Sequence, residues 1–200
     1  MTAPVVMVAG LGRCGTSLVM QMLHAVGFPC IGEWPAFEPT VSAKPMTAAD
    51  LVPIAGHAMK RLNPQRIGIP GMTTRTIWLD RDPDEQAASM IQFARETEGV
   101  DMAPNRASKR RLVASLRRDR ALAIVEIGRR PYLRLSFENL ISAPQTAACN
   151  IVDFLGIAPA DTAKMSMCVV QRVNGAHAQP TLAVELMLTT AAERMGAVAE

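Results

Sequence analysis

Residues 5–23 read VVMVAGLGRCGTSLVMQML, and the reading of this stretch decides the fold. Val5 to Ala9 is an unbroken apolar run bounded by Gly10, as expected of a strand buried on both faces. From Thr16 to Val26 the residues Val19, Met22, Leu23 and Val26 recur at helical spacing, and Gly27 suits the position just past a helix end. Gly10 and Gly15 have the separation of the first and last glycines in the phosphate loop G-x-x-x-x-G-K-[ST]. Where that motif has lysine, however, this chain has Thr16, and the only cation in the loop is Arg13. Such a loop turns backbone N–H groups toward one point, and the positive end of the following helix faces the same point. Arg13 adds a planar fork, which suits a compact anion gripped by two hydrogen bonds.

Outward from the loop, strands and helices alternate. A proline-rich connection spans Pro29 to Pro53, and His57 to Leu62 reads as a short strand. Thr76 to Leu79 is another apolar run, ending at Asp80. The following Asp82, Pro83 and Glu85 form a helix start, with Asp82 as N-cap and Glu85 closing a capping box. That helix is expected to reach about Thr97, and a basic helix is expected over Asn105–Ala121. Tyr132–Phe137 reads as a strand, Pro144–Leu155 as a helix stopped by Gly156, and Leu182–Met195 as a last helix. The alternation predicts one domain over residues 1–200, a three-layer α/β/α arrangement on a mostly parallel sheet. The loop after the first strand then lies at the carboxyl edge of the sheet, where ligands bind in such folds.

Composition narrows the ligand. With 49% hydrophobic and 20% charged residues the chain is globular. Its 4% aromatic content is too low for stacking along single-stranded nucleic acid, and a net charge of +3 suits a small anion better than a duplex. Cys14, Cys30, Cys149 and Cys168 lie far apart without a C-x-x-C pair, so neither a zinc site nor a disulfide framework is expected. No apolar run has the length of a membrane span or a signal-peptide core, and the chain reads as cytoplasmic.

A second signal is RDPDEQAAS, residues 81–89. Arg81 sits just outside the capped helix, and Ser89 follows about two turns along it. Both can face one anion at the sheet edge, or Arg81 is an ordinary surface charge and Ser89 a packing residue.

Together these motifs resemble sulfotransferases that use 3′-phosphoadenosine 5′-phosphosulfate (PAPS). GLGRCGTS resembles the 5′-phosphosulfate loop, P-R-S-G-T-[ST] in bacterial members and the tyrosylprotein group. TIWLDRDPDEQAASMIQF is similar to the 3′-phosphate segment, an apolar strand, then R-[DN]-P, then a serine eight residues after the arginine. YLRLSFENLISAPQTAACNIVDFLGI resembles the Y-E-D-L…P…I…FLG region, with Phe137-Glu138-Asn139-Leu140 in the E-D-L place. Order and spacing agree from about residue 4 to residue 157. The resemblance implies a P-loop nucleoside triphosphate hydrolase-like fold and sulfuryl transfer from PAPS to a hydroxyl of a small-molecule or peptide acceptor. The product is 3′-phosphoadenosine 5′-phosphate (PAP), and no metal is needed. It assigns Gly12, Arg13, Cys14, Gly15, Thr16 and Ser17 to the 5′-phosphosulfate, and Arg81 and Ser89 to the 3′-phosphate. Cys14 departs from the usual serine and keeps only a weak side-chain donor.

Transfer to an alcohol also needs a base. Glu33, in PCIGEWPAFEP, lies where the tyrosylprotein group carries G-E-E and is the leading candidate beside the catalytic Arg13; Glu38 is the fallback. His24, His57 and His177 read as non-catalytic, and Trp78 as core. RASKRRLVASLRRDR, residues 106–120, is either a solvated helix face or a surface that attracts an anionic donor or acceptor. Two other readings stay open: a magnesium-dependent kinase with Asp80 as metal ligand, opposed by the missing lysine, and a non-catalytic nucleotide-binding module.

Overall fold

Four strands carry the architecture: β1 (Val5–Gly10), β2 (Ala58–Leu62), β3 (Thr74–Asp80) and β4 (Tyr132–Ser136). They form one sheet in the order β2-β1-β3-β4, and every pairing is parallel. The computed structural model describes residues 3–38, 45–70, 74–98, 106–128, 130–158 and 162–173. Register brings Gly10 opposite both Leu62 and Leu79, and Asp80 opposite Ser136, so the carboxyl ends of all four strands share an edge.

Alternation along β1 and β3 builds the two cores. Val6, Val8, Ile77 and Leu79 face α1 (Thr16–Ala25), α7 (Pro144–Leu155) and α8 (Thr162–Val173). Val5, Met7, Ala9 and Trp78 face the other way, against α4 (Pro83–Glu98) and α5 (Arg106–Ile127). Both faces being covered explains why β1 is an uninterrupted apolar run. Each such large side chain taken out of water contributes roughly 1.5–3 kcal/mol. This is the three-layer α/β/α arrangement with a parallel sheet that the alternation predicts, and Trp78 is core, as expected.

Several boundaries differ from the sequence reading. α5 continues past Ala121 to Ile127, because the buried stripe of Val113, Leu116, Ala123 and Ile127 outlasts the basic segment. Phe137 leaves the strand and begins α6 (Phe137–Ser142), whose N-cap Ser136 accepts a hydrogen bond from the Asn139 N–H at 3.0 Å. α8 is an additional helix beyond those expected from the sequence; it packs through buried Met165 and Val169, one turn apart. The proline-rich connection contains α2 (Ala48–Leu51), and α3 (Pro64–Ile67) follows β2. The helix expected over Leu182–Met195 and His177 lie outside the described residues. Among the described residues no helix is long and apolar enough to cross a membrane.

Candidate functional site

The turn between β1 and α1 is built from left-handed backbone. Gly15 has φ 97°, where glycine is at ease, while Arg13 adopts φ 63°, uncommon for a residue with a side chain. Two bonds from the β3–α4 segment hold this turn. The Gln86 Nε2 donates to the Gly12 carbonyl at 2.5 Å, and the Arg81 Nη1 donates to the Arg13 carbonyl at 3.0 Å. In a trans peptide the N–H points opposite to its carbonyl, so the Arg13 and Cys14 N–H groups point away from these two donors. Next to them α1 begins at Thr16, and its first-turn N–H groups add the partial positive charge of a helix start.

Within the loop the side chains divide. Cys14 is buried beneath Gly10, and a Cβ on Gly10 would lie 2.3 Å from the Cys14 Sγ. Burial pushes the Cys14 thiol up to about 12, so it stays protonated and faces the core. What Cys14 can offer an anion is its backbone. Thr16 is buried too, whereas Ser17 is partly exposed. Gly15 lies under Phe137, and a Cβ there would come within 2.7 Å of the Phe137 Cδ2.

Arg13, Arg81 and Ser89 come together. The Arg13 Nε donates to the Ser89 Oγ at 3.2 Å. Aromatic rings floor both guanidinium groups, Arg13 over Phe93 at 4.6 Å and Arg81 over Phe137 at 4.4 Å. Burial, and then the neighbouring Arg81 charge, lower the Arg13 pKa. The Arg81 Nε is buried with no hydrogen-bond partner among the described residues. Glu96 partly offsets the Arg13 charge, whereas the strand carboxylate Asp80 is engaged by other groups. Asp80 is bound by the Arg120 Nε at 2.7 Å, the Arg134 Nε at 3.1 Å and the Arg81 N–H at 3.0 Å. Two arginines set against apolar rings, one with an unused buried donor, have the chemistry to receive an anion.

The capping of α4 differs from expectation in one arm. Asp82 accepts from the Glu85 N–H at 3.0 Å, as an N-cap does, but the Asp82 N–H donates to the Glu138 carboxylate at 2.9 Å. α6 thus supplies the arm that the capping box gives to Glu85. The contact ties the third motif to the second.

A cation that the sequence reading missed is Lys60. It stands on β2 opposite Val8, is buried, and donates to the Ser17 Oγ at 3.0 Å and the Ala36 carbonyl at 3.3 Å. It also forms an ion pair with Glu38. The available signal was a lysine inside a strand buried along its whole length, where an unpaired ammonium would be costly. Glu33, by contrast, is exposed, with no side-chain hydrogen bond or ion pair among the described residues. His24 is exposed and lies against Trp34 and Phe37, with ring centroids at 6.0 and 5.4 Å.

No protein-family model and no curated protein matches the chain. Solved structures do. The fold is that of sulfotransferases. Mouse sulfotransferase SULT7A1, complexed with PAP, superposes with a TM-score of 0.61 at 13% identity, over 89% of this chain and 68% of that one. Retinol dehydratase, in complex with androsterone and PAP, gives a TM-score of 0.58 at 15% identity, over 82% and 64% of the two chains. Sulfotransferase STF9 from Mycobacterium avium gives 0.52 at 12% identity, over 89% and 69%. The matched region thus spans only about two-thirds of each of those chains.

Proposed function

We propose that the protein transfers the sulfuryl group of PAPS to a hydroxyl of a small-molecule or peptide acceptor, leaving PAP. The observation that carries this reading is the Arg13–Ser89–Arg81 cluster beside a left-handed loop, with the Arg81 Nε buried and unused. In this reading the turn is a P-loop: Gly12 to Ser17 receive the 5′-phosphosulfate on backbone N–H groups and the start of α1. Arg81 and Ser89 hold the 3′-phosphate. Arg13 keeps both Nη groups free of hydrogen bonds among the described residues, and these serve the phosphosulfate.

As the acceptor oxygen bonds to sulfur, the bond from sulfur to the bridging oxygen breaks and its electron pair leaves with PAP. Arg13, the loop N–H groups and Lys60 beside Ser17 offset the charge that grows on that leaving oxygen. The acceptor proton passes to a carboxylate. Glu33 leads on sequence alone, but the contact of Glu38 with Lys60 at the loop favours Glu38. The magnesium-dependent kinase reading is disfavoured because Asp80 is already bound by Arg120 and Arg134, in addition to the missing loop lysine.

Calorimetry with PAP, AMP and ATP plus magnesium tests the reading. PAP is expected to bind without magnesium and more tightly than AMP by roughly 10- to 150-fold, the worth of a charge-assisted contact of about 1.5–3 kcal/mol. Equal affinity for PAP and AMP removes the 3′-phosphate site. PAP binding without any sulfate transfer to a panel of alcohols, phenols, sugars and tyrosine peptides favours a non-catalytic nucleotide-binding module.

A further inference from the structure

The basic segment of α5 is more than a solvated face. Arg106, Lys109, Arg110 and Arg117 line a cleft of about 460 Å³ whose wall includes Val113 and whose acidic lining residue is Asp84 of α4. Among the described residues one ion pair crosses it, Arg117 to Asp84 at 3.6 Å, between side chains that are 65% and 58% exposed, so water and salt screen it. Arg106 and Arg110 stand four residues apart, where like charges repel along a helix. Helix stability therefore does not account for this row; α5 packs through the adjoining stripe of Leu116, Ala123 and Ile127, and Val113 belongs to both that stripe and the cleft wall. Farther along the same helix Arg120 binds Asp80 and the Arg81 carbonyl, so the cationic row begins at the edge of the anion site.

We propose that the α4–α5 cleft docks an acidic stretch of polypeptide belonging to the acceptor. This rests on the sulfotransferase reading only in calling the bound chain an acceptor. Alternate residues of an extended peptide recur about every 6.5 Å on one side, close to the 6 Å rise of about four helical residues between Arg106 and Arg110. Guanidinium groups grip carboxylates in pairs of hydrogen bonds. Val113, buried in the packing stripe of α5, only closes the floor between them, so the charges carry the recognition. None of the lining residues is aromatic, so a nucleic-acid strand finds no stacking surface.

Fluorescence anisotropy of the full chain with a fluorescein-labelled peptide of alternating Glu and Ala tests the proposal. The peptide is expected to bind at low salt and weaken as salt rises, while a Gln–Ala peptide does not bind. Arg106→Glu with Arg110→Glu is expected to lower affinity about ten-fold or more, since two attractive pairs become repulsive. Arg111→Glu with Arg118→Glu makes the same change in net charge on exposed positions of the same helix outside the cleft, and is expected to change affinity by less than about three-fold. Equal losses in the two variants overturn the proposal, as do absent binding to the wild-type chain and preferential binding of a heparin oligosaccharide or single-stranded DNA. Thermal melting checks that both variants fold. PAP affinity, measured on the same samples, is expected to be unchanged in both; absence of PAP binding in the wild-type chain sinks the sulfotransferase reading and leaves the peptide result standing by itself.

Discussion

The Arg13 Nε donates to the Ser89 hydroxyl at 3.2 Å, and this bond joins the β1–α1 loop to the second turn of α4. The β1–α1 loop and the β3–α4 segment, separate in sequence, therefore form one cationic cluster. Arg13→Lys keeps a charge but cannot bind Ser89 and a ligand with one rigid fork. It is expected to bind donor moderately and transfer poorly, with Arg13→Ala losing more of both. Donor affinity from calorimetry and sulfate release with an accepted substrate separate these effects. Wild-type activity in Arg13→Ala removes the loop cation from the mechanism.

Glu38 and Glu33 separate by turnover. Glu38→Gln is expected to lower kcat by about 10²–10⁴ while PAP affinity stays close to wild type, and, by leaving the buried Lys60 ammonium without its carboxylate, to lower folding stability as well. Glu33→Gln, on an exposed carboxylate, is expected to change kcat less than three-fold or so. The reverse pattern returns the role to Glu33. Lys60→Met complements the pair: it leaves the Glu38 carboxylate without its ammonium and is expected to lower both folding stability and kcat.

Gly15 is held by backbone and by space at once. Gly15→Ala puts a Cβ at φ 97° and within 2.7 Å of Phe137, so destabilisation of about 1–3 kcal/mol is expected, with weaker PAP binding. Combining it with Phe137→Ala relieves the steric part and leaves the backbone part, so the two changes are expected to be non-additive. Urea denaturation of the four chains measures this. An unaltered midpoint for Gly15→Ala contradicts the described loop conformation.

Cys14 gives a test against pH. Its thiol has an ordinary value of 9.0 and is pushed up to about 12 in the fold, chiefly by burial. Between those values the folded chain holds a proton that the unfolded chain has released, so stability falls as pH rises. The contribution is complete below about pH 9 and declines above it, by at most about 1.4 kcal/mol per pH unit. The stability difference between wild type and Cys14→Ala is expected to shrink over that range in denaturation experiments. Parallel stability curves contradict a buried thiol. Cys149, which is exposed, is expected to react with iodoacetamide long before Cys14.

The sequence by itself determined the features governed by neighbours along the chain. The apolar run before Gly10 and the helix starts at Thr16 and Pro83 follow from periodicity and capping, which act within a few residues. Alternation of strand and helix was enough for the parallel sheet, and residue type singled out Arg13, Arg81 and Ser89. Tertiary structure alone decided which groups those residues meet. Lys60 reaches Ser17 and Glu38 only because β2 pairs with β1 in the observed register. Phe93 and Phe137 become floors for arginines, and Glu138 completes the cap at Asp82, because α4 and α6 converge on one sheet edge. α8 carries Met165 and Val169 one turn apart, and the fold decides that this stripe packs on α1 and α7. The reason is the range of the forces: local preferences choose each element, while the pairing of buried charges depends on strand register and crossover, which bring together residues tens of positions apart.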